Sequence, residues 1–472
     1  MQLQRSEMHR FEARGEPFVY LVPSAAVFQL DPISAAVLDG LNGEARDARH
    51  IVDELSDRFA ADDVTTTLEE LVNVRALRHE GSPSNEVPLD LPPEEMPLQN
   101  LVLNVTSKCN LSCGYCYEYG DDRLSEASAM PDMMSDETAR QSVDLLFEEA
   151  GPSPVVHLTF FGGETLLNLR VLKEATHYAR AKGAEVGKRV EIGLTTNATL
   201  LKPDVITWLI DNDIGVTVSI DGPKEMQDRF RIFQSGEGSY GVIEPKVREL
   251  LRRHRRRAIG ARVTLTQQNL DVQRIFRHLS DDVGFLEVGF APVTTSTCRD
   301  YAIDEDGYVR MLGAFEELGH EFVEATVAGR HHAFSNVKET IEEIHKGVSK
   351  AYPCGAGLGL LGVSTGGDVG LCHRFAGSGD HTLGSVTEGI DKSGQRQFLE
   401  EHHIAYKPDC HSCWARPLCS GGCYHEAQTR YGSTKSPNLH YCDWIRSWTH
   451  TCLELYGELA TRAPGYLGRL DA

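Results

Sequence analysis

Asn104-Val-Thr-Ser-Lys-Cys109-Asn-Leu-Ser-Cys113-Gly-Tyr-Cys116-Tyr117 follows directly on the apolar run Leu101 to Val105. Three thiols spaced Cys-x3-Cys-x2-Cys on a loop leaving a strand can converge on one small inorganic cluster. Four thiolates would close a cubane, whereas three leave one iron able to bind a small molecule, as an open catalytic metal site does. The alternatives are a zinc site or core cysteines. Zinc knuckles use paired Cys-x2-Cys units or histidines at fixed spacing, and this triplet followed by an aromatic fits them poorly.

Downstream of the triplet, short apolar runs alternate with stretches long enough for helices. Candidate strands are 101–105, 155–161, 190–195, 215–220, 261–265 and 286–290. Crossovers between such strands predict a parallel sheet, whose ligands lie at the carboxyl ends of the strands. The residues just past each run are therefore site candidates: Gly162, Gly163 and Glu164; Asn197; Ser219 and Asp221, with Asp228 and Arg231 beyond; and Thr264. Glycines permit close backbone approach, the glutamate suits an ammonium group, and the hydroxyl, amide and guanidinium groups suit ribose and carboxylate recognition. Each could also be a polar residue at a solvated rim.

A second cysteine set reads Cys354-x12-Gly367-x4-Cys372, then Cys410-x2-Cys413-x5-Cys419-x3-Cys423, then Cys442. In a reduced compartment these spacings point to metal or cluster binding.

Cys109, Cys113 and Cys116 with Tyr115 inside the motif resemble the signature of radical S-adenosylmethionine (SAM) enzymes. The resemblance implies a partial (β/α)6 barrel within an α/β fold class. It also implies a [4Fe-4S] cluster on the three cysteines, SAM chelated at the open iron, and reductive cleavage to a 5'-deoxyadenosyl radical. Gly162-Gly163-Glu164 resembles the motif that binds the SAM amino group, and Tyr115, Asn197, Ser219, Asp221, Arg231 and Thr264 complete the implied cofactor site. The C-terminal cysteines are similar to the SPASM extension of radical SAM peptide-modifying enzymes, a cysteine-rich iron-sulfur unit. By that resemblance Cys410, Cys413, Cys419 and Cys442 hold one auxiliary [4Fe-4S] cluster, and Cys354, Cys372 and Cys423 contribute to another. That makes three [4Fe-4S] clusters, with the fourth ligand of the last left open and Cys298 and Cys452 unassigned.

Residues 1–85 contain strand-like runs at 18–22 and 26–30, a helical run at 32–41, and helical spacing of Ile51, Leu55 and Phe59 and of Leu68, Leu71, Val72 and Leu77. The pattern is similar to the winged-helix-like domains that bind a leader peptide by strand addition, which needs few diagnostic side chains. Five prolines in 81–98 predict an extended linker with few packed contacts, bounded here as 86–99. The core is then 100–350 and the iron-sulfur extension 351–472. This three-part plan and the segment Cys113–Gly120 most resemble the family of maturases that install thioether bonds within the small subunit of quinohemoprotein amine dehydrogenase. The resemblance implies a ribosomally made peptide substrate bound through its leader and an electron donor such as flavodoxin or ferredoxin. Other peptide maturases, sulfatase maturases and a non-catalytic iron-sulfur carrier are the alternatives. A carrier has no need of Glu164, Asn197 and Asp221 around an open site.

Composition bounds the rest. The chain has 472 residues, 12 cysteines and a net charge of −22, which argues against a nonspecific nucleic-acid partner. The run Arg252-Arg-His-Arg-Arg-Arg257 ends a helical segment, where cations complement the helix dipole and face water. The N-terminus lacks an apolar signal core and no long apolar run appears, so no membrane partner and a cytoplasmic setting are expected.

Overall fold

The computed structural model describes residues 2–471, apart from 42, 83–91, 119, 121 and 125–129. The N-terminal unit comprises strands β1 (Gln2–Arg5), β2 (Met8–Ala13), β3 (Glu16–Leu21), β4 (Ala26–Gln29), β5 (Arg46–Asp47) and β6 (Leu77–His79). Helices α1 (Pro32–Gly40), α2 (Ala48–Leu55) and α3 (Ala61–Asn73) lie among them. The strands form two three-stranded sheets, β5-β1-β6 and β2-β3-β4. Helix α1 starts where Pro32 supplies a preset φ and the Asp31 carboxylate accepts from the amides of Ile33 and Ser34.

Three details differ from the sequence reading. Strands β1 and β2 carry too many polar residues for an apolar run to mark them. Leu77, taken as a late position of the third helix, lies in β6, because α3 stops at Asn73. The unit is also less separate than the linker suggests. Strand side chains alternate between faces: Val19 and Leu21 pack into a small core with Val37, Leu38, Leu68 and Leu77, while Phe18 and Tyr20 join the main core.

The main core is built on six parallel strands: β7 (Asn100–Asn104), β8 (Val155–Phe161), β9 (Arg189–Thr196), β10 (Gly215–Ser219), β11 (Gly260–Leu265) and β12 (Glu287–Pro292). Each pairs in parallel with its sequence neighbour. Helices α4 (Asp136–Glu149), α5 (Leu169–Val186), α6 (Pro203–Asp211), α7 (Lys224–Phe230), α8 (Tyr240–Arg253) and α9 (Val272–Arg277) make the crossovers, as parallel pairing requires. Helices α10 (Glu305–Val327) and α11 (Ser335–His345) follow. This is the α/β arrangement of a partial barrel.

The boundary expected at 350/351 is not a break in the sheet. Strand β13 (Leu360–Val363) pairs in parallel with β7, and β14 (Asp368–Gly370), β15 (Thr382–Ser385) and β16 (Gly389–Ile390) continue antiparallel, giving ten strands in all. A four-residue strand is too short to read from periodicity. Part of the expected linker lies outside the described residues, and the rest is packed: the Leu98 amide donates to Glu149 and the Gln99 amide to Gly359. The chain ends with α12 (Lys392–His402), α13 (Arg416–Cys419), α14 (Tyr424–Tyr431), α15 (Cys442–Arg462) and α16 (Pro464–Leu467). Helix α15 lies against β2 so closely that a Cβ on Gly457 would come within 2.7 Å of Ala13 Cβ. Among the described residues no helix is long and apolar enough to cross a membrane.

Candidate functional site

The loop after β7 is pinned across the sheet end. Ser112 N–H donates to Ile232 O at 2.8 Å and Gly114 N–H to Phe230 O at 3.2 Å, so the segment after α7 fixes the thiol loop. Cys109, Cys113 and Cys116 lie in mutual electrostatic range. They line a cavity of about 510 Å³ with Lys108, Ser112 and Gln234. Burial pushes the Cys109 thiol up to about 11 and the Cys113 thiol to about 12. Both are therefore neutral without metal, and a cluster held there would displace their protons.

Glycine is required at the end of β8. Gly162 has φ +120°, and a Cβ there would sit 2.4 Å from Thr106 O. That close approach lets Gly163 and Glu164 donate their amides to Thr106 O and Lys108 O, both at 2.9 Å. Glu164 is 1% exposed. It accepts from Thr196 Oγ1 at 2.6 Å, Leu166 N at 3.1 Å and Asn197 N at 2.8 Å. Burial raises its pKa despite these donors. Asn197 Nδ2 reaches Cys109 Sγ at 3.8 Å and Asn110 Oδ1 at 3.0 Å. The ends of β8 and β9 are thus tied to the first cysteine.

Asp221, read as a candidate for the ligand, is turned inward. It is 0% exposed and accepts from Tyr115 Oη, from Arg231 Nε at 2.9 Å and from Thr264 N at 3.1 Å. The Arg231 guanidinium lies 5.4 Å from the Tyr115 ring centroid. Burial opposes the Arg231 charge, but Asp221 and Tyr115 outweigh it and hold the group protonated. Four of the proposed cofactor residues thus form one buried network locking Tyr115 between the second and third cysteines. Ser219 ends β10, half-buried. Asp228 accepts from Tyr240 N at 2.7 Å and pairs with Lys224, so it organises the start of α8 and not a ligand. The basic run is likewise structural: Arg257 pairs with Asp213 and Glu191, and Arg253 and Arg256 donate to backbone carbonyls.

The C-terminal thiols form two sets. Cys354, Cys372 and Cys423 interact with one another, and so do Cys410, Cys413, Cys419 and Cys442. Neither leftover cysteine joins them. Cys452 is buried in α15 with a hydrogen bond to Thr340, and exposed Cys298 contacts Ser296 Oγ at 3.3 Å. Among the described residues no three His, Cys, Asp or Glu side chains gather tightly enough for a single metal ion. The thiol sets are more open than one ion's ligand shell. The Tyr424 and Tyr352 hydroxyls are buried with no hydrogen-bond partner, and Tyr424 stands beside Cys354 and Cys423. A donor without an acceptor beside this thiol set fits a group that brings its own acceptors, as a cluster's sulfides do.

The sequence reading placed Tyr117 in the motif but gave it no role between the thiol sets, and it missed Arg374 and Asp122. Tyr117 interacts with both Cys116 and Cys372, and the Arg374 guanidinium lies 4.6 Å from its ring centroid. Arg374 also donates to Thr294 Oγ1 at 2.9 Å. Asp122 accepts from Thr295 Oγ1 at 2.7 Å, Ser296 N at 3.1 Å and Arg299, fixing the loop after β12. Arg374 was detectable only as a cation two residues past Cys372, and Asp122 carried no signal.

Residues 103–273 match the family described as the Radical SAM superfamily. The matched stretch contains the cysteine triplet and the ends of β8, β9 and β10, and that family implies SAM and a [4Fe-4S] cluster. The serine-type anaerobic sulfatase-maturating enzyme of Bacteroides thetaiotaomicron is 32% identical over 34% of this chain and 38% of its own length. The match thus spans well under half of that relative. The cysteine-type anaerobic sulfatase-maturating enzyme of Clostridium perfringens is 24% identical over 73% of this chain and 94% of its own. Among solved structures, native anSMEcpe with bound AdoMet shares the fold, with a TM-score of 0.64 at 20% identity over 79% of this chain and all of that one.

Proposed function

We propose that the chain is a radical SAM maturase of a ribosomally made peptide, joining a substrate cysteine to a side-chain carbon of Asp or Glu as a thioether. The substrate class proposed is the small subunit of quinohemoprotein amine dehydrogenase. The carrying observation is the placement of three thiol sets, with Tyr117 between the first set and the three-cysteine C-terminal set. A thioether requires removal of two hydrogens. One leaves the carbon as an atom, taken up by the 5'-deoxyadenosyl group; the thiol gives up a proton; and an electron must depart. When bound, a [4Fe-4S] cluster on Cys109, Cys113 and Cys116 supplies the electron that cleaves SAM, while clusters on the C-terminal sets give the departing electron a route out.

This chain's own residues do the positioning. Gly162 and Gly163 bring the backbone against the thiol loop, and Glu164 offers a buried carboxylate beside it. Asp221 and Arg231 hold Tyr115 rigid, so the loop is organised before ligands arrive. The N-terminal unit is proposed to hold the leader, and flavodoxin or ferredoxin to supply electrons.

Sulfatase maturation is the second reading, favoured by the extent of the match to the Clostridium perfringens enzyme. Co-expression with peptides encoded beside this chain, followed by mass measurement, decides between them. A loss of two hydrogens per bond with a protected cysteine marks a thioether. Conversion of a cysteine or serine in a sulfatase peptide to an aldehyde would refute the crosslinking assignment.

A further inference from the structure

Lys407 is 3% exposed, and its Nζ has no hydrogen-bond partner. The ammonium is boxed in: a Cβ on Gly421 would stand 2.7 Å from Nζ, and the Tyr424 ring centroid lies 5.4 Å away. Gly421 itself lies between Cys419 of the four-cysteine set and Cys423 of the three-cysteine set. Burial lowers the Lys407 pKa, and among the described residues the groups that oppose this are the thiols of Cys410, Cys419 and Cys354. The first two belong to the four-cysteine set, the third to the three-cysteine set. Its backbone carbonyl also accepts from the Cys410 amide at 2.9 Å, which fixes its stem to the ligand loop.

A buried ammonium without a counter-charge costs several kcal/mol in general, so an isolated one is not retained without compensation. The cation–π contact with Tyr424 offsets only part of that cost. A cubane on four thiolates is an anion, and so is one on three thiolates with an anionic ligand. Two anions flanking a single cation would satisfy it from both sides.

We infer that Lys407 is the shared counter-charge of the two C-terminal cluster sites, a positioning residue that raises the reduction potential of both. The inference rests on the three-cluster reading. A positive charge near a cluster stabilises the reduced, more negative form, so removing it makes reduction harder. The effect should appear at both clusters, because the ammonium lies against Gly421, between Cys419 of one set and Cys423 of the other.

The test uses full-length protein reconstituted anaerobically as wild type, Lys407→Met and Lys407→Arg, with iron counts and redox titration followed by electron paramagnetic resonance. Lys407→Met keeps the stem without the charge, and Lys407→Arg keeps the charge. With the auxiliary clusters loaded, Lys407→Met should lower the one-electron reduction constant of each about tenfold, ~59 mV, while Lys407→Arg stays near wild type. Loss of auxiliary iron from Lys407→Met but not from Lys407→Arg also supports the charge role. Unchanged potentials in fully loaded Lys407→Met overturn it, as does a shift confined to one cluster. Loss of iron from both variants assigns Lys407 to packing and overturns it too. Wild type binding only about four irons, the content of one cubane, refutes the three-cluster reading itself and removes the basis of the inference.

Discussion

Replacing Asp221 by Asn should loosen the thiol loop before any cofactor binds. Its carboxylate is fully buried and serves Tyr115, Arg231 and Thr264 at once. The amide keeps the shape but removes the charge, leaving the Arg231 guanidinium buried without its partner. Breaking one side of such a pair costs about 3–5 kcal/mol. Tyr115→Phe removes one hydrogen bond to a charged acceptor, about 1.5–3 kcal/mol. The loss should be read locally, by hydrogen exchange at the amides of Gly114 and Thr264, since both depend on this network. At tenfold per 1.4 kcal/mol, exchange there should quicken by roughly two to three and a half orders of magnitude in Asp221→Asn. Tyr115→Phe should show a smaller change, and iron loading at the triplet should fall in the same order. Pairing Asp221→Leu with Arg231→Met should recover much of the protection, because both charges are then gone. Unchanged exchange in Asp221→Asn, or a Tyr115→Phe effect of equal size, would refute the reasoning.

Three further outcomes follow from other parts of the molecule. Gly162→Ala should abolish SAM binding in calorimetric titration, because its Cβ would collide with Thr106 O in a left-handed backbone conformation. On the proposed crosslinking and three-cluster reading, Cys372→Ala should retain 5'-deoxyadenosine formation but lose crosslinking, in a folded protein that keeps the iron of the other two sites; chromatography of both products checks this. Docking of the N-terminal unit should weaken in acid, where burial first and His450 second lower His9 to about 4. An undocked His9 takes up its proton near 6.5, so the contribution is complete above that value and is lost as pH falls toward 4; limited proteolysis across this window should show it, and His9→Gln should flatten the response.

Much of the core was legible because parallel strands announce themselves as apolar runs and their ends as polar clusters. All six predicted strands lie within two residues of the observed ones. The thiol grouping needed resemblance, since no periodicity says which distant cysteines meet. Asp221 shows the limit of reasoning from strand ends: position placed it at the rim, but the order of burial depends on Tyr115 and Arg231 reaching it from two other elements. Lys407 and Arg374 were illegible for a similar reason, as their significance lies in thiols remote in sequence. Strand β13 escaped because four residues against an existing sheet edge need no strong local propensity.

The proline-rich stretch suggested that recognition and chemistry sit in units that could be cut apart, and the docking surface argues otherwise. His9 on β2 stacks on Trp414 at 3.6 Å between ring centroids and meets His450 Nδ1 at 2.8 Å. Glu7 pairs with Arg416, whose guanidinium also donates to the carbonyl of Cys413 at 3.1 Å. The proposed leader-binding unit therefore grips the same loop that carries two cysteines of the four-thiol set. Deleting residues 2–85 would strip Phe18 and Tyr20 from the main core and free Arg416 together, so lost crosslinking in that truncation would not isolate leader recognition. Glu7→Gln is the sharper perturbation, since it weakens one exposed ion pair and leaves both cores intact. If the Cys410, Cys413, Cys419 and Cys442 set holds the proposed cluster and docking steadies its loop, this variant should keep its fold by circular dichroism while shifting the resonance spectrum of that site. An unchanged spectrum would reduce the contact to domain attachment alone.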